Sequence, residues 1–334
     1  MEIVGALYEL NSSLVLSVVV VALSLILIIQ PSLAYTDYIP QRIPSPIFVV
    51  STRDYVPMAT QIPFNTLWLV NKTLLNFGAG CPPETAVYIH GWNRDESEAA
   101  EEFDRVQASL NHNSYRIPLI GFSWNSKTDY ITAQNNAKDN GPLLSQFIID
   151  FNRICPDSHI RLMAHSLGAA VVESTLVSLD TNPTLQVTVN DNNSKFIKSI
   201  DLLAAAIDNK LMVNNSAFAN ATEHLVDRFY NLYDPEDDGL QFNREYERHD
   251  PLGLVGAPSA TTPSNYNDTN VVYEIPPLSD ADGDGNTLEC FEQFKPARLW
   301  GDNHCGYIGF RQPFEGSLID DGAMNIVVRD WIES

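Results

Sequence analysis

The stretch from residue 159 to residue 170 decides the fold of this chain, and it reads His-Ile-Arg-Leu-Met-Ala-His-Ser-Leu-Gly-Ala-Ala. Its first half is an apolar run with the length of a buried β-strand, and its second half has the small residues of a buried helix. Between the halves, Ser166 is flanked by Ala164 and Gly168. Small residues at these two positions let the strand and helix pack closely around a sharp turn. The pattern therefore predicts a nucleophilic serine on a strand-to-helix turn.

The segment resembles the GHSLGG-type nucleophile elbow of lipases and esterases in the α/β-hydrolase superfamily, with Ala164 in place of the first glycine. The resemblance runs from about residue 48 to the C-terminus in order and spacing, although its specific motifs are short. It implies an α/β-hydrolase fold with a mostly parallel central sheet and helices on both faces. It also implies a serine hydrolase that cleaves carboxylic esters through an acyl-enzyme on Ser166 and requires no cofactor.

Apolar and helix-prone segments alternate over most of the chain, as in a parallel sheet that is covered on both faces. Strands are predicted at 47–51, 67–70, 86–90, 117–123, 160–164, 196–205 and 228–233. Helices are predicted at 94–110, 129–154, 167–179 and 320–331, the second with a break at Asn140-Gly141-Pro142. The polar segment 253–285 is predicted to be a long loop excursion within one hydrolase domain, 35–334.

A second motif ends the predicted strand 86–90, which runs into His90-Gly91-Trp92. It resembles the His-Gly turn after the third strand of many lipases, where the backbone N–H after the glycine helps to bind the oxyanion. On that resemblance, the oxyanion donors are the N–H groups of Trp92 and Leu167. Each such donor stabilises a transition state by about 3 kcal/mol.

The superfamily order of serine, acid and histidine directs the search for an acid to the chain after Ser166. The acidic turn Asp-Pro-Glu-Asp-Asp-Gly follows the predicted strand 228–233 and resembles the loop that carries the acid in lipases. Asp237 fits this resemblance best, and Asp234 and Asp238 are its rivals.

The base is sought among the seven histidines. His304 lies in a Gly-rich loop before the last predicted helix, and this loop resembles the one that carries the base in related hydrolases. His249 is the rival candidate. In this scheme His304 removes the proton of Ser166, and Asp237 holds the imidazole in the required tautomer.

The first 34 residues differ from the rest. Leu14–Ile29 is an apolar run of 16 residues, which suits a signal peptide and is short for a membrane-spanning helix. Small residues precede a cleavage point after Ala34. The segment before the run carries two glutamates and neither Lys nor Arg, so an uncleaved membrane anchor is the alternative. In both cases residues 35–334 are expected to be secreted or held at the cell surface.

Cysteines and glycosylation sequons agree with export. Four cysteines are present, at 81, 155, 290 and 305, and an even number in an exported chain indicates disulfides. The α/β-hydrolase resemblance makes the strands after Cys81 and Cys155 neighbours, which implies that these two are bridged and leaves Cys290 with Cys305, although four cysteines allow three pairings. Asn-x-Ser/Thr sequons, typical of a glycoprotein, begin at Asn71, Asn192, Asn214, Asn220 and Asn267.

The acidic segment 280–286 resembles the first half of an EF-hand calcium loop. Its hard oxygen ligands would come from Asp280, Asp282, Asp284 and Asn286. The second half departs from the motif, since Phe291 stands at the place of the bidentate glutamate, with Glu292 one place late and Glu289 as a substitute. A structural calcium ion and a plain acidic turn are the two interpretations.

Charge limits the class of partner. The chain has 42 acidic and 20 basic side chains, a net charge of −22, and so repels the phosphate backbone of nucleic acids.

A small-molecule or lipid ester is the expected substrate. The same residues leave two other interpretations open: an amidase or peptidase with the same triad, and a catalytically silent cell-surface binding protein.

Overall fold

Seven strands form the central sheet in the structure, a computed structural model that describes residues 47–54, 65–78, 80–181, 197–258, 262–275, 303–311 and 318–333. The strands are β1 (Ile47–Ser51), β2 (Glu84–Ile89), β3 (Leu119–Ser123), β4 (His159–His165), β5 (Ile197–Leu203), β6 (Val226–Tyr233) and β7 (Tyr266–Asn270). Their order is β1-β3-β2-β4-β5-β6-β7, and all neighbours are parallel. The predicted parallel sheet is confirmed.

Helices cover both faces of this sheet. Those described are α1 (Thr66–Asn76), α2 (Glu96–His112), α3 (Tyr130–Ile154), α4 (Gly168–Thr181), α5 (Ala217–Leu225), α6 (Asp238–Glu247), α7 (Leu252–Val255), α8 (Asn303–Gly306) and α9 (Met324–Ile332). One core cluster joins the sheet to α1, α3, α4 and α5, and a second joins it to α2 and α9. A short antiparallel pair, β8 (Phe310–Arg311) and β9 (Leu318–Asp320), lies near the C-terminus.

The strand predicted at 67–70 is wrong, because these residues belong to helix α1. The Asn65 side chain caps the helix by accepting a hydrogen bond from the N–H of Trp68 at 2.8 Å. The buried side chains then follow helical spacing and not the alternation of a strand: Thr66, Leu69, Val70, Thr73 and Leu74.

The break predicted at Asn140-Gly141-Pro142 is also wrong, since α3 is continuous through it. Proline has no N–H to donate to the carbonyl four residues earlier, which here is that of Lys138. The hydroxyl of Ser174 donates to this carbonyl instead, at 2.6 Å. A Cβ on Gly141 would lie 2.3 Å from the Ser174 oxygen, so glycine is what allows α4 to come this close. Tertiary contacts therefore repair the interruption.

The segment 253–285, predicted as a loop excursion, contributes a strand to the sheet. Within it the structure describes most of α7 and all of β7, which pairs in parallel with β6 and forms an edge of the sheet. Polar residues make up much of β7 (Tyr-Asn-Asp-Thr-Asn), which is why apolar patterning misses it.

A disulfide joins Cys81 to Cys155, as the sheet order implies, with their Cα atoms 5.5 Å apart. These residues precede the neighbouring strands β2 and β4. Cys305 is also disulfide-bonded, whereas its implied partner Cys290 lies outside the described residues.

Several sequence predictions fall outside the described residues. They include the apolar segment in 1–34, the sequon at Asn192 and the candidate calcium ligands Asp280, Asp282, Asp284 and Asn286. In the part of the chain that is described, no helix is long and apolar enough to cross a membrane. The same part contains no group of three or more His, Cys, Asp or Glu side chains arranged to hold a metal ion.

Candidate active site

Ser166 lies on the turn between β4 and α4, in a strained backbone conformation. Its φ is +52°, in the left-handed region that a non-glycine residue rarely adopts. Its N–H donates to the carbonyl of Leu203 at 2.9 Å, and its carbonyl accepts from the N–H of Ala206 at 3.1 Å. The last residue of β5 and the segment that follows it thus hold the turn from both sides. Strain of this kind persists where the surroundings over-determine it, and it is concentrated at functional sites.

The small residues beside Ser166 serve close packing. A Cβ on Gly168 would lie 2.6 Å from the carbonyl oxygen of Ile89 and 2.8 Å from that of His90. Any side chain at 168 would therefore push α4 away from β2. Ala164, which stands where the motif usually has glycine, is fully buried in the sheet.

Three predicted side chains form one continuous line of hydrogen bonds. Nε2 of His304 lies 2.9 Å from Oγ of Ser166. Nδ1 of the same ring lies 2.8 and 2.9 Å from the two carboxylate oxygens of Asp237. Asp237 is fully buried, whereas Ser166 and His304 each retain slight exposure. This is the geometry in which a histidine can take a proton from a serine while a carboxylate orients its ring.

Asp237 is oriented by its second task as the N-cap of α6. Its Oδ1 accepts the N–H of Leu240 at 2.8 Å, so the backbone fixes the carboxylate that faces His304. The rival Asp234 accepts the N–H of Glu236 instead, and burial raises its pKa to about 6. The other rival, Asp238, is the first residue of α6.

The loop that carries His304 is held on several sides. The Asn303 side chain donates to the carbonyl of Glu236, which ties α8 to the turn that bears Asp237. The Ser109 hydroxyl on α2 donates to the carbonyl of Ile308 at 2.9 Å. The rival base His249 is not among the residues that line the cavity at Ser166.

The His-Gly turn lies directly against the elbow. A Cβ on Gly91 would be 3.0 Å from Cβ of Ser166, so glycine permits this contact. Trp92, a predicted oxyanion donor, follows at once and lines the cavity at Ser166. Leu167, the other predicted donor, follows Ser166 at the start of α4, where backbone N–H groups favour negative charge.

His90 braces this turn. Burial lowers its pKa to about 3, so the ring is neutral. Its Nε2 accepts from the N–H of Trp124 at 3.1 Å and from Arg53 at 3.2 Å. The one ring proton is therefore on Nδ1, which donates to the carbonyl of Gly91 at 2.9 Å. Because that carbonyl shares a rigid peptide plane with the N–H of Trp92, His90 fixes the plane of the candidate oxyanion donor.

A cavity of about 400 Å³ opens beside Ser166. One side is a row of four aromatic rings in mutual contact. The distances between ring centroids are 5.1 Å for Trp92 and Tyr130, 5.8 Å for Tyr130 and Tyr246, and 6.3 Å for Tyr246 and Phe242. Phe242 and Tyr246 on α6 are about half exposed, at 51% and 52%. We call these four residues the aromatic row. It offers apolar surface from the candidate nucleophile outward.

Sheet order, elbow and hydrogen-bonded Ser-His-Asp geometry define a protein of the α/β-hydrolase class. Residues 82–268, more than half of the chain, match the family described as alpha/beta hydrolase of unknown function, DUF900, and the chain belongs to this family.

Solved structures with low similarity include hydrolases, and no curated protein matches the chain. A Trichoderma reesei cutinase with a bound phosphonate inhibitor is 17% identical over 48% of this chain and 70% of its own, with a TM-score of 0.29. The catalytic core of the acetyl xylan esterase from Trichoderma reesei is 10% identical over 57% and 84%, with a TM-score of 0.34. An esterase from Pyrobaculum calidifontis is 12% identical over 57% and 68%, with a TM-score of 0.28. At these scores the likenesses support no argument about substrate.

Sequence reasoning missed residues that act through spatial contact. Gly239 lies against His304, although in the sequence it is only the end of an acidic turn. The aromatic row unites positions 92, 130, 242 and 246 from three separate parts of the chain. In the sequence His165 is only part of the elbow motif, yet the centroid of its ring lies 5.0 Å from that of His304. The sequence carries no periodic signal for any of these contacts.

Proposed function

We propose that this protein is an exported serine esterase that hydrolyses carboxylic esters through an acyl-enzyme on Ser166. The observation that carries the proposal is the unbroken line of contacts from Oγ of Ser166 through His304 to Asp237, at 2.9 and 2.8 Å. A serine hydroxyl is a weak nucleophile unless a base removes its proton.

In the proposed reaction, Oγ of Ser166 attacks the ester carbonyl carbon while its proton moves to Nε2 of His304. Asp237 stabilises the resulting imidazolium. The tetrahedral intermediate then expels the alcohol, which takes the proton back from His304, and leaves an acyl group on Ser166. Water, activated by the same ring, attacks the acyl carbon, releases the acid and restores the serine.

The negative oxygen of the tetrahedral intermediate needs fixed donors. We assign this task to the N–H groups of Trp92 and Leu167. The contact of Gly91 with Ser166 and the hydrogen bond from His90 to the Gly91 carbonyl favour this assignment, because they hold the loop beside the nucleophile.

The cavity favours esters with an apolar group. Its lining is mostly apolar, and its volume of about 400 Å³ is in the range of small-molecule sites. Each methylene that the aromatic row removes from water contributes about 0.8 kcal/mol to binding. An ester longer than an acetate is therefore the expected substrate.

Export is part of the proposal. The disulfide between Cys81 and Cys155 suits an oxidising compartment, and the apolar run Leu14–Ile29 provides a signal peptide or an anchor. The N-terminal sequence of the protein recovered from a secreting host would distinguish cleavage after Ala34 from an intact N-terminus.

The test is hydrolysis of a p-nitrophenyl ester series, acetate to palmitate, by the full chain and by Ser166→Ala, with a fluorophosphonate probe in parallel. We expect wild-type turnover, covalent labelling of Ser166, and loss of both in the variant. Turnover of matched anilides in preference to the esters would instead indicate an amidase. A folded wild type that neither reacts with the probe nor hydrolyses esters or amides would contradict the proposal and favour a binding protein.

A further inference from the structure

The elbow and the candidate base are joined by a second hydrogen bond that does not pass through Ser166. His165 precedes the candidate nucleophile, and its Nε2 lies 2.6 Å from the backbone carbonyl oxygen of His304. Both side chains are buried. His165 therefore contacts the backbone of His304, and Ser166 contacts its ring.

The proton on His165 can be assigned from its neighbours. A carbonyl only accepts, so a bond at 2.6 Å requires the ring to donate from Nε2. Burial lowers the pKa of His165, so the ring is neutral and has one proton. The other flanking acceptor is Glu102, whose Oε1 lies 3.5 Å from Nδ1. The shorter contact takes the single proton.

Glu102 packs against the side of the His165 ring that faces away from the His304 carbonyl. It is fully buried on α2, accepts the hydroxyl of Tyr88 at 2.9 Å and pairs with Arg94 at 3.2 Å. Burial opposes its ionisation, whereas the charges of Arg94 and Arg105 favour the carboxylate, and the pKa of the carboxyl lies well below its usual range. A buried charge needs such partners. Because desolvation costs about as much as the pairing gains, a buried ion pair adds little net stability, and stability alone does not account for this one.

The same cluster reaches the next residue of the base loop. Arg94 pairs with Glu102 through Nε, and its Nη2 lies 3.4 Å from Sγ of Cys305. His165 thus contacts the backbone of His304, Arg94 contacts the side chain of Cys305, and both lie beside Glu102. An apolar core at this place would fill the space without directing the loop.

We propose that His165 is a positioning residue, which sets the distance between Ser166 and the ring of His304 by donating from Nε2 to the His304 carbonyl. The inference rests on the proposed function and extends it to a residue outside the triad. Its physical reason is that a base misplaced by about 1 Å can lower a rate by about 100-fold.

Three variants of the full chain test the bond. His165→Gln keeps an amide N–H near the position of Nε2, whereas His165→Asn is one methylene shorter and cannot reach the carbonyl. His165→Met keeps the length of glutamine and removes the donor. Fluorophosphonate titration counts the active sites, so kcat is obtained per reactive serine even where some of the protein is unfolded.

We expect kcat to fall by about 10- to 100-fold in the Asn and Met variants with KM nearly unchanged, and to stay within about fivefold of wild type in the Gln variant. A purely structural role predicts instead that kcat per site is unchanged while the unfolding temperature drops. Equal kcat in all three variants, high or low, would overturn this inference alone. A wild type that reacts with neither ester nor probe would overturn the proposed function as well.

Discussion

Gly239 and His304 are in direct contact across the candidate active site, because a Cβ on Gly239 would lie 2.6 Å from Cγ of the imidazole. Gly239 is the second residue of α6, directly after the helix is capped by Asp237. The same turn therefore supplies the acid that orients the ring and the empty space that admits it.

Gly239→Ala should lower esterase kcat by about 10- to 100-fold, because the new methyl group displaces the ring from Ser166. Ester kinetics and fluorophosphonate labelling rates measure this effect. Gly80→Ala is the matched control, since a Cβ there meets nothing within 4 Å. A Gly239→Ala enzyme with wild-type kcat would show that the contact does not position His304.

The assignment of acid and base is tested by single amide substitutions. His304→Gln and Asp237→Asn should each lower kcat by at least about a thousandfold, since His304 touches Ser166 and Asp237 touches His304. His249→Gln and Asp238→Asn should stay close to wild type. Activity that survived in the first pair and disappeared in the second would transfer the roles to the rivals.

The aromatic row should set chain-length preference. Phe242→Ala and Tyr246→Ala should reduce the gain in kcat/KM from acetate to longer esters, which is about fourfold per buried methylene, and leave acetate turnover nearly unchanged. Tyr273→Ala is a suitable control because Tyr273 is 98% exposed. An identical chain-length profile in both variants and the wild type would remove the aromatic row from substrate binding.

The bridge between Cys81 and Cys155 should contribute to stability without affecting chemistry. It closes a long loop, with a sequence separation of 74, and replacing both cysteines by serine should lower the free energy of unfolding by about 2–4 kcal/mol. The bridge precedes the amino-terminal ends of β2 and β4, whereas Ser166 follows the carboxyl-terminal end of β4, so kcat per folded molecule should not change. Denaturant unfolding and ester kinetics measure the two effects separately.

Stability should fall as pH rises because of Asp201. This buried carboxyl accepts the indole N–H of Trp331 at 2.6 Å, and burial raises its pKa to about 8. The folded chain thus keeps a proton that the unfolded chain releases near pH 4. The contribution is full below about pH 4 and is lost as pH rises to about 8.

Asp201→Asn should therefore flatten this part of the pH dependence, since the amide oxygen still accepts from Trp331 and no charge has to be buried. Denaturant unfolding at about pH 5 and pH 8.5 measures it. Parallel losses of stability in wild type and variant between these values would contradict the assignment to Asp201.

Local patterns in the chain were enough for the fold class. Strands such as β2 and β3 are largely apolar runs because a central parallel strand is buried on both faces. Apolar patterning predicts such fully buried strands. It does not predict β7, because an edge strand tolerates polar residues. The predicted break in α3 was wrong because the hydrogen bond that satisfies the free carbonyl comes from Ser174 on another helix, which local sequence does not reveal.

The sequence by itself determined the parallel α/β class and the strand-to-helix turn at Ser166, because both depend on residues that are adjacent or periodically spaced in the chain. Only the tertiary structure decided that Asp237 and not Asp234 faces His304, that Gly239 admits the ring and that His165 contacts the His304 carbonyl. These contacts join residues that are far apart in the chain. Which atoms meet there depends on how helices and loops pack on the sheet, and local propensity and hydrophobic periodicity do not encode it.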